Sequence, residues 1–568
     1  MHTWRPTWFV GSRLVACLAA VAVTGCLTGC GGGSGSSSSG PATGHRGGTF
    51  TMLWNSPGTS IDTALDFDAN WRILSTTNDG LMTWNRGGPQ AGFELVPDLA
   101  ATMPTISDAG RSYVFHVRHG IRYSTGAVVK PSHVRTSLER VFKAGGGASS
   151  YYNTIVGADQ CTSAPKACDL STGIVADDAA GTVTFHLTTA DPLLPQKLAL
   201  PSAYLLPPGL PNHDVGTHPL PATGPYMISS YNPRQRLVMV RNPHFKQWSA
   251  AAQPAGYPDE IVMKIGLSVE AATTQVQNGQ ADWTYDQPPS DRLSEISSNY
   301  ANQVHVHTVP QLYYMSLDTQ TPPFNNVDAR RAVNYATDRA AIIKIWGGPA
   351  AAKPICQILP PGFPGYVPYC PYSAQPDGEW RAPDMAKARQ LVAKSGTAGQ
   401  TVKVIVTTDE QSKGVGLYFV SLLNQLGYHA KLVPLAGSVE YSYVQNSKND
   451  PQMSFTYWYP DYPDSADFFD LEIGCNGFHP NSDYSPNLSE FCDPNVQQMF
   501  EHALATEQSN RSAADPLWTA LDRHVTDLAP QISLFIPNHI DFVSQRVKNF
   551  RFAPSVVTGF LYDQAQIR

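Results

Sequence analysis

The stretch VKVIVTTDEQSKGVGLYFVSLLNQLGYHAKLV, residues 402–433, decides the fold class. Val402, Val404 and Val406 recur every second residue, the period of a strand with one buried face. A helical stretch follows to Leu426. Gly427 closes it, glycine being the residue that takes the left-handed turn beyond a helix. Tyr428 to Val433 reads as a second strand. Strand, helix and strand in this order predict a right-handed crossover between parallel strands, and so an α/β layer. Just upstream, Asp384 is placed to cap a helix carrying Met385, Ala388, Leu391 and Val392 on one face, with Gly396 at its stop. Towards the N-terminus, Tyr113, Phe115, Val117 and then Val183, Phe185, Leu187 alternate as half-buried strands do.

The N-terminus reads differently. Arg5 and Arg13 flank an apolar run from Leu14 to Val23, about half of the ~20 residues needed to span a bilayer as a helix. A basic flank, a short apolar core and small residues make a secretory signal peptide over 1–29. Its end, Leu27-Thr28-Gly29-Cys30, resembles a lipoprotein cleavage box, in which the thiol of the cysteine takes the lipid. Val23-Thr24-Gly25-Cys26 is a weaker match, because Leu27 stands three residues ahead of Cys30. Residues 30–45 are almost all Gly, Ser, Ala, Thr and Pro and bury too little apolar surface to fold. They form a tether with a span of roughly 20 Å. The expected location is outside the cytoplasm, on the cell membrane.

About 520 residues remain, more than one core accommodates, so two or three domains are expected. The net charge of −7 lacks the basic excess that nucleic acid would call for. Cys17 and Cys26 leave with the signal. The other six form three sequence-local couples, Cys161 with Cys168, Cys356 with Cys370 and Cys475 with Cys492, expected to be disulfides in an oxidising compartment. A metal site on Cys475, His479 and Cys492 is the rival reading, but the spacing is not that of a zinc module. His305 and His307 share one face of a strand and are read as surface histidines. There is no Gly-x-Ser-x-Gly elbow in the folded part, no His-Glu-x-x-His and no Gly-Lys-Ser/Thr phosphate loop, so a hydrolase is not expected.

Function comes from a set of segments in order. Gly47-Gly48-Thr49-Phe50 opens it, then Asn78-Asp79-Gly80-Leu81 and Val96-Pro97-Asp98-Leu99-Ala100. Residues 107–118 (SDAGRSYVFHVR), 120–126 (GIRYSTG) and 137–140 (SLER) follow. Further on stand Thr223-Gly224-Pro225-Tyr226, Arg241-Asn242-Pro243, Phe324 through Arg339, and Trp458-Tyr459-Pro460-Asp461-Tyr462-Pro463. The set resembles the extracellular solute-binding proteins of family 5, which include dipeptide- and oligopeptide-binding proteins. Asp108-Ala109-Gly110 and Pro131-Ser132-His133 depart from the usual pattern and mark a divergent member.

The resemblance implies an α/β, two-lobed clamp of the type II periplasmic-binding-protein kind, with an extra inserted subdomain. Lobe I would take residues 46–85, 205–305 and 530–568, the inserted subdomain 86–204, and lobe II 306–529. Ligand would bind between the lobes, and closure about a hinge would bury it. The implied role is to capture short peptides and deliver them to the permease subunits of an ABC importer, as a monomer without cofactor or catalytic residue. Sensing without import, or carriage of a sugar or metal chelate, stands as the alternative. Asp461 matches the family aspartate that pairs with the peptide amino group. Read locally it is a turn-forming Asp. Trp458 and Tyr459 either wall a side-chain pocket or pack in the core. Thr76, Thr77 and Asn78 are candidate contacts from the facing lobe. A cation for the peptide carboxylate is wanted, and the sequence does not single one out.

Overall fold

A computed structural model describes residues 46–58, 60–65, 70–88, 93–554 and 559–568. The signal segment 1–29, Cys30 and the tether 30–45 lie outside the described residues.

The stretch quoted first folds as read. Thr401–Thr407 and His429–Leu435 run parallel in register along their whole length, joined by the helix Glu410–Gln425. Asp409 caps that helix by accepting the backbone N–H of Ser412 at 2.9 Å. Gly416 lets the helix lie directly on the strands, since a Cβ there would sit 2.5 Å from Leu432 and 2.7 Å from Val406. Asp384 likewise caps Met385–Ser395 through the N–H of Lys387. These strands belong to a seven-stranded mixed sheet in the order Val304–Thr308, Gln531–Phe542, Leu312–Leu317, Met453–Trp458, Thr401–Thr407, His429–Leu435. Ala352–Pro354 pairs onto Gln531–Phe542. Gln531–Phe542 thus runs as a strand of this second sheet well past residue 530. Val543 then bridges to Trp283 of the first sheet.

That first sheet has five strands, ordered Trp283–Thr284, Thr49–Trp54, Glu260–Ile265, Arg236–Arg241, Tyr226–Asn232. Phe50, Met52 and Trp54 alternate into a core closed by residues near 560. Phe50 lies 6.1 Å from Phe560 and 6.2 Å from Tyr562 between ring centroids, and Trp283 lies 5.1 Å from Phe560. A separate four-stranded sheet, Thr105–Ser107, Ser112–His116, Thr182–His186, Ile174–Asp177, carries the alternating residues read from the sequence. Phe115 and Phe185 meet edge to face across it at 5.7 Å.

The ordered segments turn out to brace one another. Thr223 donates to Asp79 at 2.6 Å, and Asn242 donates to the carbonyl of Gly224 at 3.0 Å. Gly224 leaves room for the carbonyls of Thr76 and Thr77, which a Cβ would meet at 2.8 and 3.1 Å. In the Phe324–Arg339 segment, Arg330 donates to the carbonyls of Phe324, Leu528 and Ala529. Arg339 donates to those of Ile355 and Ser533. Arg330 ties its helix to the end of the helix Arg511–Leu528 and Arg339 ties its helix to the strand Gln531–Phe542, and burial lowers each to about 10. Disulfides join Cys161 to Cys168, Cys356 to Cys370 and Cys475 to Cys492. Oxidised cysteines are not available as the metal ligands weighed for Cys475 and Cys492.

Candidate ligand-binding cleft

The strand Met453–Trp458 brings the chain to the end of the second sheet. Pro460 and Pro463 then turn it back before the short helix Ser465–Asp467. One carboxylate shapes this turn. Asp467 is fully buried and accepts the indole N–H of Trp458 at 2.9 Å and the backbone N–H of Asp461 at 3.1 Å. Burial, then the nearby charge of Asp461, holds Asp467 well above the ordinary carboxylate range. Trp458 and Tyr459 are partly buried and pack against the hydrophobic core.

Two contacts cross from this turn to the other side of the molecule. The hydroxyl of Tyr151, which follows the first strands of the four-stranded sheet, hydrogen-bonds the carboxylate of Asp461. The hydroxyl of Tyr459 hydrogen-bonds Arg72, on the helix Trp71–Thr77 that packs with the first sheet. Burial pulls the Arg72 guanidinium down, but Tyr285, Tyr459 and Asp541 outweigh it and keep it firmly protonated. Arg72 also lies over the ring of Tyr285 at 5.1 Å, and Tyr285 stacks on Trp54 at 4.0 Å. Nearby, Asp464 accepts Gln196 at 3.2 Å and faces Arg511 at 3.3 Å. Asp461 therefore sits on a partly buried turn, with Tyr151 on its carboxylate and Arg72 on the neighbouring Tyr459. A further cavity of about 1380 Å³ adjoins the turn at Pro463 and is lined by Phe93, Phe363, Trp380 and Arg511 among others.

Thr76, Thr77 and Asn78, read as contacts from the facing lobe, are buried at the end of their helix and make side-chain hydrogen bonds within the fold. Thr76 bonds Tyr562 at 3.0 Å, Thr77 donates to Asn78 at 2.8 Å, and Asn78 donates to the carbonyl of Pro221 at 2.9 Å. Arg72, one turn earlier, meets the hydroxyl of Tyr459. His305 and His307 are half-buried rather than on the surface. They stack on Phe550 and Phe552 at 3.8 and 3.9 Å, beside Asp541. Burial lowers His307 to about 4. Among the described residues no group of three His, Cys, Asp or Glu is arranged to hold a metal.

Comparison with known proteins bears on this site. The model of the bacterial extracellular solute-binding proteins, family 5, matches residues 94–479, most of the chain and all of the Asp461 turn. The chain belongs to this family. As a family 5 protein it is similar to the probable D,D-dipeptide-binding periplasmic protein DdpA of Escherichia coli K12, 24% identical over 521 residues, covering 88% of this chain and 91% of that one. Among solved structures, the clavulanic acid biosynthesis oligopeptide binding protein 2 superposes with a TM-score of 0.83 at 22% identity, over 92% of this chain and 96% of that one. DppA from Helicobacter pylori in complex with the peptide STSA gives 0.70 at 19% identity, over 92% and 98%. The family 5 fold is a two-lobed α/β clamp, and its members are solute-binding transport proteins rather than enzymes. Among the described residues no helix is long and apolar enough to cross a membrane.

Proposed function

We propose that this family 5 protein captures short peptides outside the cytoplasm and hands them to an ABC importer, holding the free amino group of the peptide on Asp461. The observation that carries the reading is the placement of that carboxylate. It lies on a partly buried turn held by Asp467, with the neutral hydroxyl of Tyr151, from a remote part of the chain, as a donor to it. An ammonium arriving there puts a cationic donor on the carboxylate, so that both partners of the bond are charged. Arg72 supplies a cation within the same cleft for the carboxylate end of the ligand. The exposed rings of Tyr457 and Tyr441 offer apolar contact that does not depend on side-chain identity. Relatives named for a D,D-dipeptide and solved with a bound peptide support the same ligand class. On this reading, residues 46–85, 205–305 and 530–568 supply the first lobe, 86–204 the inserted subdomain and 306–529 the second, with the strand Gln531–Phe542 passing through the second sheet. The protein acts as a monomer, and Cys30 carries the lipid that tethers it.

The test is native mass spectrometry of protein purified without denaturation, followed by calorimetry with a di- to pentapeptide pool. A peptide-mass adduct is expected, and Asp461→Asn should weaken binding by at least tenfold, as should N-acetylation of the peptide. Equal binding of free and acetylated peptides would remove Asp461 from the role. Intact mass of the membrane fraction, with Cys30→Ser for comparison, tests the anchor.

A further inference from the structure

Against the residues that end the Asp461 turn lies a loop with no part in the proposed ligand contacts. Cys356 and Cys370, both buried, close it with a disulfide. One flank of the loop is fastened to the helix Arg511–Leu528. Asp522 accepts the backbone N–H groups of Ile358 and Leu359 at 2.9 and 3.3 Å and the side-chain amide of Gln357 at 2.6 Å. Thr519 donates to the carbonyl of Gly365 at 2.6 Å. The other flank meets the residues after the turn. Ser465 donates to the carbonyl of Pro364 at 2.5 Å, across 101 positions of chain, and Phe363 packs edge to face on Phe468 at 5.2 Å. A third side is open, because residues 360–370 border the cavity of about 1380 Å³.

Ser465 opens the short helix Ser465–Asp467, and Asp467 is the carboxylate that accepts the backbone N–H of Asp461 and the indole N–H of Trp458. Contacts therefore run from the disulfide loop to Ser465, along one helical turn to Asp467, and from there to Asp461. A single turn of helix has too few bonds of its own to hold its direction. Its start is held at two residues, Asp464 by Gln196 and Arg511, and Ser465 by Pro364. Arg511 opens the same helix that carries the loop, so both holds depend on one assembly. A loop that faces open space on one side lacks packing there, and its conformation rests on the bonds along its other sides. Cutting the disulfide returns to it the conformations that closure removed. We infer that the Cys356–Cys370 loop is a positioning element for the Asp461 turn, so that discrimination at the amino end of the ligand depends on this disulfide.

This inference takes its ligand from the peptide reading above, and two measurements on the full protein keep them apart. The first variant is Cys356→Ser with Cys370→Ser. Ser465→Ala, which deletes the bond between loop and turn and leaves the disulfide, is the second should the first fold poorly. Met263→Ala, in the buried core of the first sheet, is the destabilising control. Hydrogen exchange read by mass spectrometry on ligand-free protein should quicken roughly tenfold in residues 458–467 of both variants and stay unchanged there in the control. Titration calorimetry with Ala-Ala-Ala and its N-acetylated form should show the preference for the free amino group falling from at least about tenfold to about threefold or less in both variants, and unchanged in the control. Unchanged exchange in residues 458–467 would overturn the positioning role and leave peptide capture standing. Faster exchange with the preference intact would overturn the link to the ligand, and the inference with it. Faster exchange in the variants of a protein that shows no preference for the free amino group would support the loop as the brace of the turn and remove Asp461 from its ligand role.

Discussion

Glu472→Gln should change how stability depends on pH, and the sign follows from burial. In the folded protein Glu472 is pushed up to about 8, from 4.5 in the unfolded chain. Below pH 4.5 both states hold the proton, and the acid sits in place as a neutral group. As pH rises from 4.5 towards 8 the unfolded chain releases its proton and the folded protein does not. Stability is therefore lost across that window and levels off above it. At about 1.4 kcal/mol for each tenfold change in proton affinity, the gap corresponds to roughly 4–5 kcal/mol. Glutamine does not titrate. Its carbonyl still accepts from Tyr314, while its amide adds a pH-independent cost of about 1–3 kcal/mol if no partner is found. The variant should be the less stable protein near pH 4.5 and the more stable one at pH 8. For a chain of this length the relative Tm should move by roughly 4 °C between those limits. Thermal unfolding followed by circular dichroism at three pH values, on ligand-free protein, measures it. A Tm difference that stays constant with pH would mean that Glu472 titrates as an exposed acid, and the reasoning from burial would go with it.

Other changes read out the frame around the site. Asp62→Ala strands the buried guanidinium of Arg140, which Asp62 meets at 2.6 and 2.7 Å, and should cost about 3–5 kcal/mol in urea unfolding. A loss under 1 kcal/mol would show that the charge relaxes to water. Replacing Cys475 and Cys492 with alanine opens a loop of sequence separation 17 and should lower stability by roughly 3 kcal/mol, whereas reductant should then have less effect than on wild type. Tyr459→Phe deletes the hydroxyl that reaches Arg72. The ligand-free protein should spend more time open, seen as a larger radius of gyration in solution scattering, and an unchanged radius would show that this contact does not hold the lobes together.

How much of this was legible depended on the range of the interaction. The crossover around Gly416 and Gly427 could be read because alternation, capping and helix stops are local rules. The disulfides could be read because each couple closes a short loop. Asp461 and Trp458 were visible through their resemblance to a family segment, and the structure adds the reason for the segment's shape, the Asp467 brace. Arg72, Tyr151 and Glu472 were not visible. Arg72 and Tyr151 reach the Asp461 turn from remote parts of the chain, and nothing local distinguishes these two, or Glu472 shortly after the turn, from any other arginine, tyrosine or glutamate. The nearest signal was Arg72 itself, the one cation in a helix otherwise free of charge. The partners of Thr76, Thr77 and Asn78 were hidden for a related reason. Thr76 bonds Tyr562 and Asn78 bonds the carbonyl of Pro221, long-range partners that a local reading does not show, while Thr77 donates to Asn78.

The first sheet has a further consequence, for the order in which the protein comes into being. Thr49–Trp54 leaves the ribosome early, but the aromatic lid over Phe50 and Trp283 is made by Phe560 and Tyr562. The earlier lobe therefore waits for residues synthesised some five hundred positions later. A nascent chain of this design stays open until nearly all of it has emerged, which suits a polypeptide that must be threaded through a membrane before it folds. It also means that a copy truncated before residue 560 displays bare Trp and Phe rings, the kind of surface that quality-control proteases and chaperones recognise.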